Sequence, residues 1–350
     1  MANLTLDDLA KRANVSAKTV SRVVNKLPGV GAKKRAEIEA LIVETGFRPN
    51  FGARVLASSR SYVICMVIDE PASHYYFSEL QIGISRACIA AGYHLIVEPV
   101  HDILDKGAGA FEARFSGFRP DGFIIVPPVT EAIGFLEDLI QLKAPLVRIA
   151  PVSHKTMSSF VEMDDEQAVY EITRQLIGLG HRDIAWIAEA RRMASMGLRE
   201  AGFLRALGEA GLVLRQEYMT MPQSTLGTGH EDAFRLFTLP NRPTAIVCGN
   251  DSVALASIAA AYRAGFSVPG DVSIVGFDNS PGSESCWPPL TTVNQPISTM
   301  GQRAAEILLR HLDRDQPLTG LVFEKVDFSI VQRMSAGPRA PRIGKASPAE

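Results

Sequence analysis

The chain is poor in the residues that build metal centres and disulfide frameworks. Its 350 residues include four cysteines, Cys65, Cys88, Cys248 and Cys286, scattered without a C-x-x-C pair or a histidine at ligand spacing. They read as reduced core thiols, and no metal is expected. No apolar run reaches the roughly 18 residues of a membrane-spanning helix. The opening MANLTLDDLAKRAN carries acids where a signal peptide needs a basic and then an apolar stretch. A cytoplasmic protein without membrane contact is therefore expected. The chain also lacks a G-x-S-x-G elbow, a P-loop, G-x-G-x-x-G and H-E-x-x-H. GAGA at 107–110 is an isolated glycine run, and His181 reads as a capping or packing residue. Neither an enzyme nor a bound cofactor is expected.

Net charge is also small, −2 for the whole chain, but unevenly spread. The first 60 residues hold eleven Lys and Arg against five Asp and Glu, or +6, which leaves −8 for the remainder. A basic head on an acidic body points to a polyanion as the partner of the head. The length suits two or three domains. A composition of 46% hydrophobic and 21% charged residues is that of a folded globular protein.

Within the head, Thr5 and Asp8 have capping-box spacing and open a helix with Leu6, Leu9, Ala10 and Ala13 on its apolar face. Ser16 caps a second helix whose stripe is Val20, Val23 and Val24. The connection NVS is so short that the two helices must cross steeply, the geometry of a helix-turn-helix. A third helix starts near Ala32, turns Ile38, Leu41 and Ile42 inward and stops at Gly46. The second helix presents Lys18, Ser21, Arg22 and Asn25 at i, i+3, i+4 and i+7, an outward row suited to the major groove. Next, RPNFGARVLASSRS carries a helix start at Pro49 and Asn50 but also Gly52, and is too short to persist alone. It is expected to become helical only when held, with Leu56 free to wedge between base steps in a minor groove.

From Tyr62 the pattern changes to alternating strands and helices. YVICMVID, YHLIVEP, DGFIIVPP, APLVRIAP, HRDIAWIAEA, PTAIVCGND and DVSIVGFDN are apolar runs separated by helical segments. They predict an α/β body of two doubly wound parallel lobes. HLDRDQPLTGLVFEKVDFSIVQR completes it as a helix and a strand, and SAGPRAPRIGKASPAE reads as a disordered tail without heptads. Ligands of such sheets sit beyond the strands' carboxyl ends, a rule that selects Asp69, Pro127, Pro128, Ala150, Asn250, Asp251, Asp278 and Asn279. Asn250, Asp251 and Asp278 suit a neutral polyhydroxyl ligand. Asp251 and Ser252 read more readily as the N-cap of the helix SVALASIAAAYRAG, an explanation that fits Asn250 and Asp278 less well.

TLDDLAKRANVSAKTVSRVVN followed by GFRPNFGARVLA resembles the head and hinge of the lactose-repressor (LacI) family of bacterial regulators. LIGLGHRDIAWI, GLREAGFLRAL, RPTAIVCGND, SVPGDVSIVGFDN and PPLTTVNQP resemble that family's effector domain, itself akin to periplasmic sugar-binding proteins. The resemblance runs from about residue 4 to 334. It implies a helix-turn-helix domain at 1–48, a hinge at 49–61 and an effector-binding and dimerisation body at 62–334, with residues 335–350 as the tail. Lobe 1 would comprise about 62–163 and 296–325, and lobe 2 about 164–295 and 326–334.

By position the resemblance assigns base reading to Ala17, Lys18 and Arg22, and phosphate contacts to Thr5, Ser16, Thr19, Ser21, Asn25 and Lys33. Asn50, Ala53 and Leu56 become the minor-groove hinge, and Asp69, Tyr76, Phe77, Arg199, Asn250, Asp278 and Trp287 the effector contacts. Gly31 stands where many relatives have serine, Ser224 where relatives often have a stacking aromatic, and Ala150 where some have aspartate. Stacking would then fall to Tyr75, Tyr76 or Trp287, and Arg148 or Asp69 would stand in for the missing acid. The implied protein is a dimeric, sequence-specific repressor that binds operator DNA under the control of a sugar-like metabolite. A solute-binding receptor built on the body alone is the alternative.

Overall fold

The computed structural model describes residues 4–24, 28–47, 55, 60–70, 75–117, 119–189, 193–220, 229–313 and 316–339. Asn25, Asn50, Ala53, Leu56 and Ser224 lie outside them. The chain divides into two units, Met1–Tyr62 and Val63–Glu350.

The first unit contains α1 (Leu6–Arg12), α2 (Ala17–Val24) and α3 (Ala32–Thr45). The capping box forms: Asp8 N–H donates to the Thr5 hydroxyl oxygen, and Thr5 N–H donates to the Asp8 carboxylate. Ser16 Oγ accepts from Thr19 N–H at 3.2 Å and so caps α2. Between the two helices Asn14 takes a left-handed φ of 51°, which completes the tight turn in the space of 13–16. Lys34 Nζ donates to the Ala13 carbonyl at 3.3 Å and ties α3 to that turn. Leu9, Ala10, Val20, Val23, Ile38 and Phe47 form one small core, and Gly46 closes α3 with a left-handed φ of 63°.

The second unit has two six-stranded sheets. The first contains β1 (Val63–Ile68), β2 (His94–Pro99), β3 (Gly122–Ile125), β4 (Leu146–Ile149), β5 (Ser159–Glu162) and β11 (Phe323–Lys325), in the order β11-β5-β4-β3-β1-β2. The second contains β6 (Ile184–Ile187), β7 (Met219–Thr220), β8 (Ala245–Cys248), β9 (Ser273–Asp278), β10 (Thr291–Asn294) and β12 (Ser329–Val331), in the order β12-β10-β9-β8-β6-β7. Every pairing is parallel except β10 with β12. The segment after the last long helix supplies two strands, one to each sheet. The chain therefore passes between the lobes after β5, after β10 and after β11, which gives a three-stranded hinge.

Helices cover the sheets: α4 (Tyr75–Ala90), α5 (Ala108–Phe115), α6 (Ile133–Gln141) and α12 (Ile297–His311) in lobe 1, with α7 (Asp165–Gly178), α8 (Ser195–Glu209), α9 (His230–Thr238), α10 (Asp251–Arg263) and α11 (Pro281–Ser285) in lobe 2. Two helix pairs pack backbone to backbone through glycine. A Cβ on Gly83 of α4 would stand 1.8 Å from the Ser298 carbonyl oxygen of α12. A Cβ on Gly202 of α8 would stand 2.1 Å from the Glu166 carbonyl oxygen of α7. Each lobe buries its own core, around Phe111, Phe123 and Phe135 in the first and Ile246, Ile274 and Leu290 in the second. Cys65, Cys88 and Cys248 are buried free thiols, and burial pushes the Cys248 thiol up to about 12, far from its reactive form at neutral pH.

The expectation of disorder from residue 335 is corrected over 335–339. Ser335 is buried; its hydroxyl accepts from Thr291 N–H and its carbonyl accepts from Ile274 N–H, so the segment continues the second sheet's hydrogen bonding. Arg339 N–H donates to the Leu179 carbonyl at 3.0 Å. His181 packs here, as its sequence context indicates: Nε2 lies 3.0 Å from the Gly337 carbonyl and Nδ1 3.0 Å from the Thr244 hydroxyl, and burial lowers its pKa. The run SAGPR holds on through backbone and hydroxyl groups, which hydropathy does not register.

Candidate nucleic-acid interface and effector site

In the head, Lys18 and Arg22 are exposed on α2, four residues apart on one face, while Val20 and Val23 turn into the core. Ser21 is half-buried between them in sequence. Ala17 is half-buried and packs against the head's core, so only part of its methyl remains to meet a base. Thr5 and Ser16 spend their hydroxyls on capping, and Ser16 Oγ also lies 2.9 Å from Thr19 Oγ1. Lys33 is exposed in the first turn of α3. Gly29 carries a φ of +92°, and a Cβ there would stand 3.2 Å from Arg22 Nη1. The loop after α2 thus comes up against the Arg22 guanidinium.

In the body, the strand-end rule places Asn250 just beyond β8 and Asp278 as the last residue of β9. Arg199 on α8 enters the same end of lobe 2 and is 5% exposed. Its Nε donates to Asp165 Oδ1 at 2.7 Å, its Nη1 donates to the Gly249 carbonyl at 2.7 Å, and the guanidinium lies 3.5 Å above the Phe277 ring. These contacts fix the plane of the guanidinium. Burial alone would lower the Arg199 pKa, but Asp165 and Asp278 outweigh it and hold the group above its ordinary value. Burial pushes the Asp278 carboxyl well above the usual carboxylate range; Arg199 opposes this, and Asp251, Glu189 and Asp165 add to it.

From the other lobe, Tyr76 on α4 is close enough to the same group to feel its charges. Burial raises its phenol pKa, and Asp165, Arg199 and Asp278 of lobe 2 all act on it electrostatically. Tyr75 beside it responds to burial and then to Glu79, Asp278 and Asp251. Phe77 packs edge-on against Tyr76, with ring centroids 5.8 Å apart. Tyr76 of lobe 1 thus lies within electrostatic range of Arg199 and Asp278 of lobe 2. Asp69, at the end of β1, has His101 Nδ1 at 2.8 Å from its Oδ1. Trp287 is 72% exposed, and no contact among the described residues joins its ring to the Arg199 group.

Two sequence expectations are corrected. Asn250 is the N-cap of α10, its Oδ1 accepting from Val253 N–H at 2.9 Å. Asp251 is instead a buried anchor, accepting from the Ser280 N–H, the Ser280 hydroxyl and the Thr292 hydroxyl at 2.6, 2.9 and 2.6 Å. The cap falls on Asn250 because the helix starts one residue earlier than its polar run indicates, at Asp251 rather than Ser252. Arg148 does not stand in for an acid at position 150. It is fully buried and donates to Ser158 Oγ and to the carbonyls of Thr130, Ser153 and His154, which clamps the loop that follows β4. Asp165, Glu189 and Phe277 escaped sequence reasoning. Asp165 sits in an acidic first turn beside the true cap Asp164, and nothing local tells the two acids apart.

Residues 5–50 match the lacI family of bacterial regulatory proteins, and residues 173–335 match a periplasmic binding protein-like domain. Catabolite control protein A of Priestia megaterium is 33% identical over 332 residues, 94% of this chain and 96% of that protein. The chain belongs to the lacI family of bacterial regulatory proteins. The HTH-type transcriptional repressor PurR of Erwinia tasmaniensis is another LacI-family relative, 32% identical over 308 residues, 87% of this chain and 89% of its own. The Lac repressor dimer bound to operator and the anti-inducer ONPF superimposes with a TM-score of 0.75 at 26% identity, over 96% of this chain and all of that one. A transcriptional regulator CelR–cellobiose complex does so with a TM-score of 0.71 at 25% identity, over 95% of this chain. This LacI-family chain is thus a DNA-binding transcriptional regulator with an effector-binding body, and no described helix is long and apolar enough to cross a membrane.

Proposed function

We propose that the protein is a homodimeric repressor, and that a neutral polyhydroxyl metabolite of the sugar type, bound between the lobes, controls its grip on an operator. The observation that carries this reading is the Arg199–Asp165–Phe277 cluster, with Asp278 on its own lobe and Tyr76 within electrostatic range on the other. A ligand held by groups of both lobes changes the free energy of their relative orientation, which is what allosteric control of a distant DNA site requires. A guanidinium already paired with Asp165, in the company of Asp278, suits vicinal hydroxyls that both donate and accept. Cellobiose, named with the CelR structure, is a compound of that class. Two heads of one dimer read two half-sites, and residues 49–61 join head to body.

The test is a screen of neutral sugars and nucleosides for release of the full chain from DNA upstream of its own gene. One compound that shifts operator affinity by about 5–150-fold, a coupling of about 1–3 kcal/mol, is the expected result. Binding that no metabolite alters contradicts allosteric control.

Base reading by Lys18 and Arg22 makes separate predictions. Lysine donates to guanine O6 and N7, so Lys18→Ala relaxes a guanine preference at one base pair of each half-site while the rest of the motif persists. Sequencing of DNA selected from a random pool measures this, and an unchanged motif refutes the assignment. Arg22→Ala costs about 1–3 kcal/mol of specific binding by fluorescence anisotropy. An equal loss on scrambled DNA would mark Arg22 as a phosphate contact only.

A further inference from the structure

Asp278 holds an unusual backbone. Its φ is 117° and that of Asn279 is 56°, both in the left-handed half of the map where a residue with a side chain is strained. A strained two-residue turn persists only where its surroundings over-determine it, and here those surroundings are polar and distant in sequence. Arg333, two residues beyond β12, donates through Nη2 to Asn279 Oδ1 at 2.7 Å. Its Nη1 donates to the Leu290 carbonyl at 2.8 Å and to Ser283 Oγ at 3.2 Å. The Asn279 side chain is thereby oriented, and its Nδ2 donates to Asn294 Oδ1 at 3.0 Å, on the last residue of β10 before the chain crosses to lobe 1. On the far side of the turn, Ser280 is bound to the buried Asp251.

We propose that Arg333 is a positioning residue of the effector site: through Asn279 it holds the strained strand end that keeps the Asp278 carboxyl in the buried group with Arg199. The same three side chains tie that strand end to Asn294 at the hinge, so whatever displaces Asp278 also pulls on the crossing between the lobes. The inference rests on reading Asp278 as an effector contact. Its test uses neither DNA nor effector, so its outcome is separate from the fate of that reading.

The test is a double-mutant cycle on thermal stability in the full chain: wild type, Asp278→Asn, Arg333→Met and the pair. Charged or titratable groups acting on Asp278 are Arg199 from α8, Asp165 from α7, Asp251 from α10 and Glu189 after β6, with Tyr75 and Tyr76 from α4. In the native state the carboxyl is held above its unfolded value, so its ionisation works against folding. That penalty is absent below the unfolded carboxylate range and grows as pH rises through the native value. Asp278→Asn therefore raises Tm by about 3 °C near pH 8 and leaves it unchanged near pH 4. With Arg333→Met the turn relaxes, the carboxyl escapes its neighbours, and the gain from Asp278→Asn disappears. Asn279→Ala, a smaller lesion, repeats the cycle should the Arg333 variant fail to fold. A purely structural Arg333 would lower Tm in both backgrounds and leave the gain intact. An Asp278→Asn effect that is the same in every background, zero included, overturns the proposal.

Discussion

Arg199→Met lowers the stability of the body by about 3–5 kcal/mol, because it strands the Asp165 carboxylate in a buried site. The pair is enclosed on both sides: Arg199 is 5% exposed and Asp165 3% exposed, with 2.7 Å between Nε and Oδ1. Methionine fills much of the same volume, so the loss is electrostatic rather than a cavity effect. The guanidinium face over Phe277 adds a smaller cation–π contribution. Differential scanning calorimetry should find Tm lower by roughly 10 °C. Removing both charges, with Asp165→Leu added to Arg199→Met, recovers most of the loss, since an apolar pair of similar volume no longer carries an unmatched ion. A single variant within about 1 kcal/mol of wild type would show that Asp165 finds another partner, and the electrostatic account of the site would fail. In either variant metabolite control of DNA binding is lost, whatever happens to Tm.

Gly202→Ala is the second large effect. The added methyl would sit 2.1 Å from the Glu166 carbonyl oxygen and 3.0 Å from the Tyr170 backbone nitrogen, so α7 and α8 must move apart. The obstacle is backbone and no rotamer change relieves it, which places the cost at or above the upper end of the overpacking range, about 3 kcal/mol. Because α7 carries Asp165 and α8 carries Arg199, the displacement also opens the ion pair. Gly208→Ala on the same helix is the control: a Cβ there meets nothing within 4 Å, and alanine's helix propensity raises stability by up to about 1 kcal/mol. Opposite signs at two glycines six residues apart on one helix is a result that propensity alone cannot produce. Equal effects at the two sites would contradict close packing of α7 on α8.

The strands legible in the sequence were those built as apolar runs: β1, β2, β3, β4, β6, β8 and β9. The others were hidden for identifiable reasons. β7 is two residues long, too short for any periodicity to register, and β11 and β12, three each, read in the sequence as a single strand. β10 reads TTVN, and its threonines look like turn residues although all but Asn294 are buried. The head was legible almost throughout, since its caps, stripe and turn are all local. The effector site was not. Asp278 could be placed from the strand-end rule, whereas Arg199 needed the family resemblance. Asp165 could not be found at all, because it meets Arg199 across 34 residues of sequence and sits in a first turn that accounts for its acids. Arg148 shows the converse error: a charge at a strand end looked functional and proved to be a buried clamp on backbone carbonyls.

Selection of bound duplexes from a randomised DNA pool by the full-length protein, at physiological salt, tests the central claim most directly. The account predicts an inverted repeat of two half-sites, a guanine preference in each that Lys18→Ala removes, and strongly reduced enrichment with Arg22→Ala. No enriched motif, or the same motif from the wild type and both variants, would contradict sequence reading by α2 and with it the assignment of the exposed Lys18–Arg22 face.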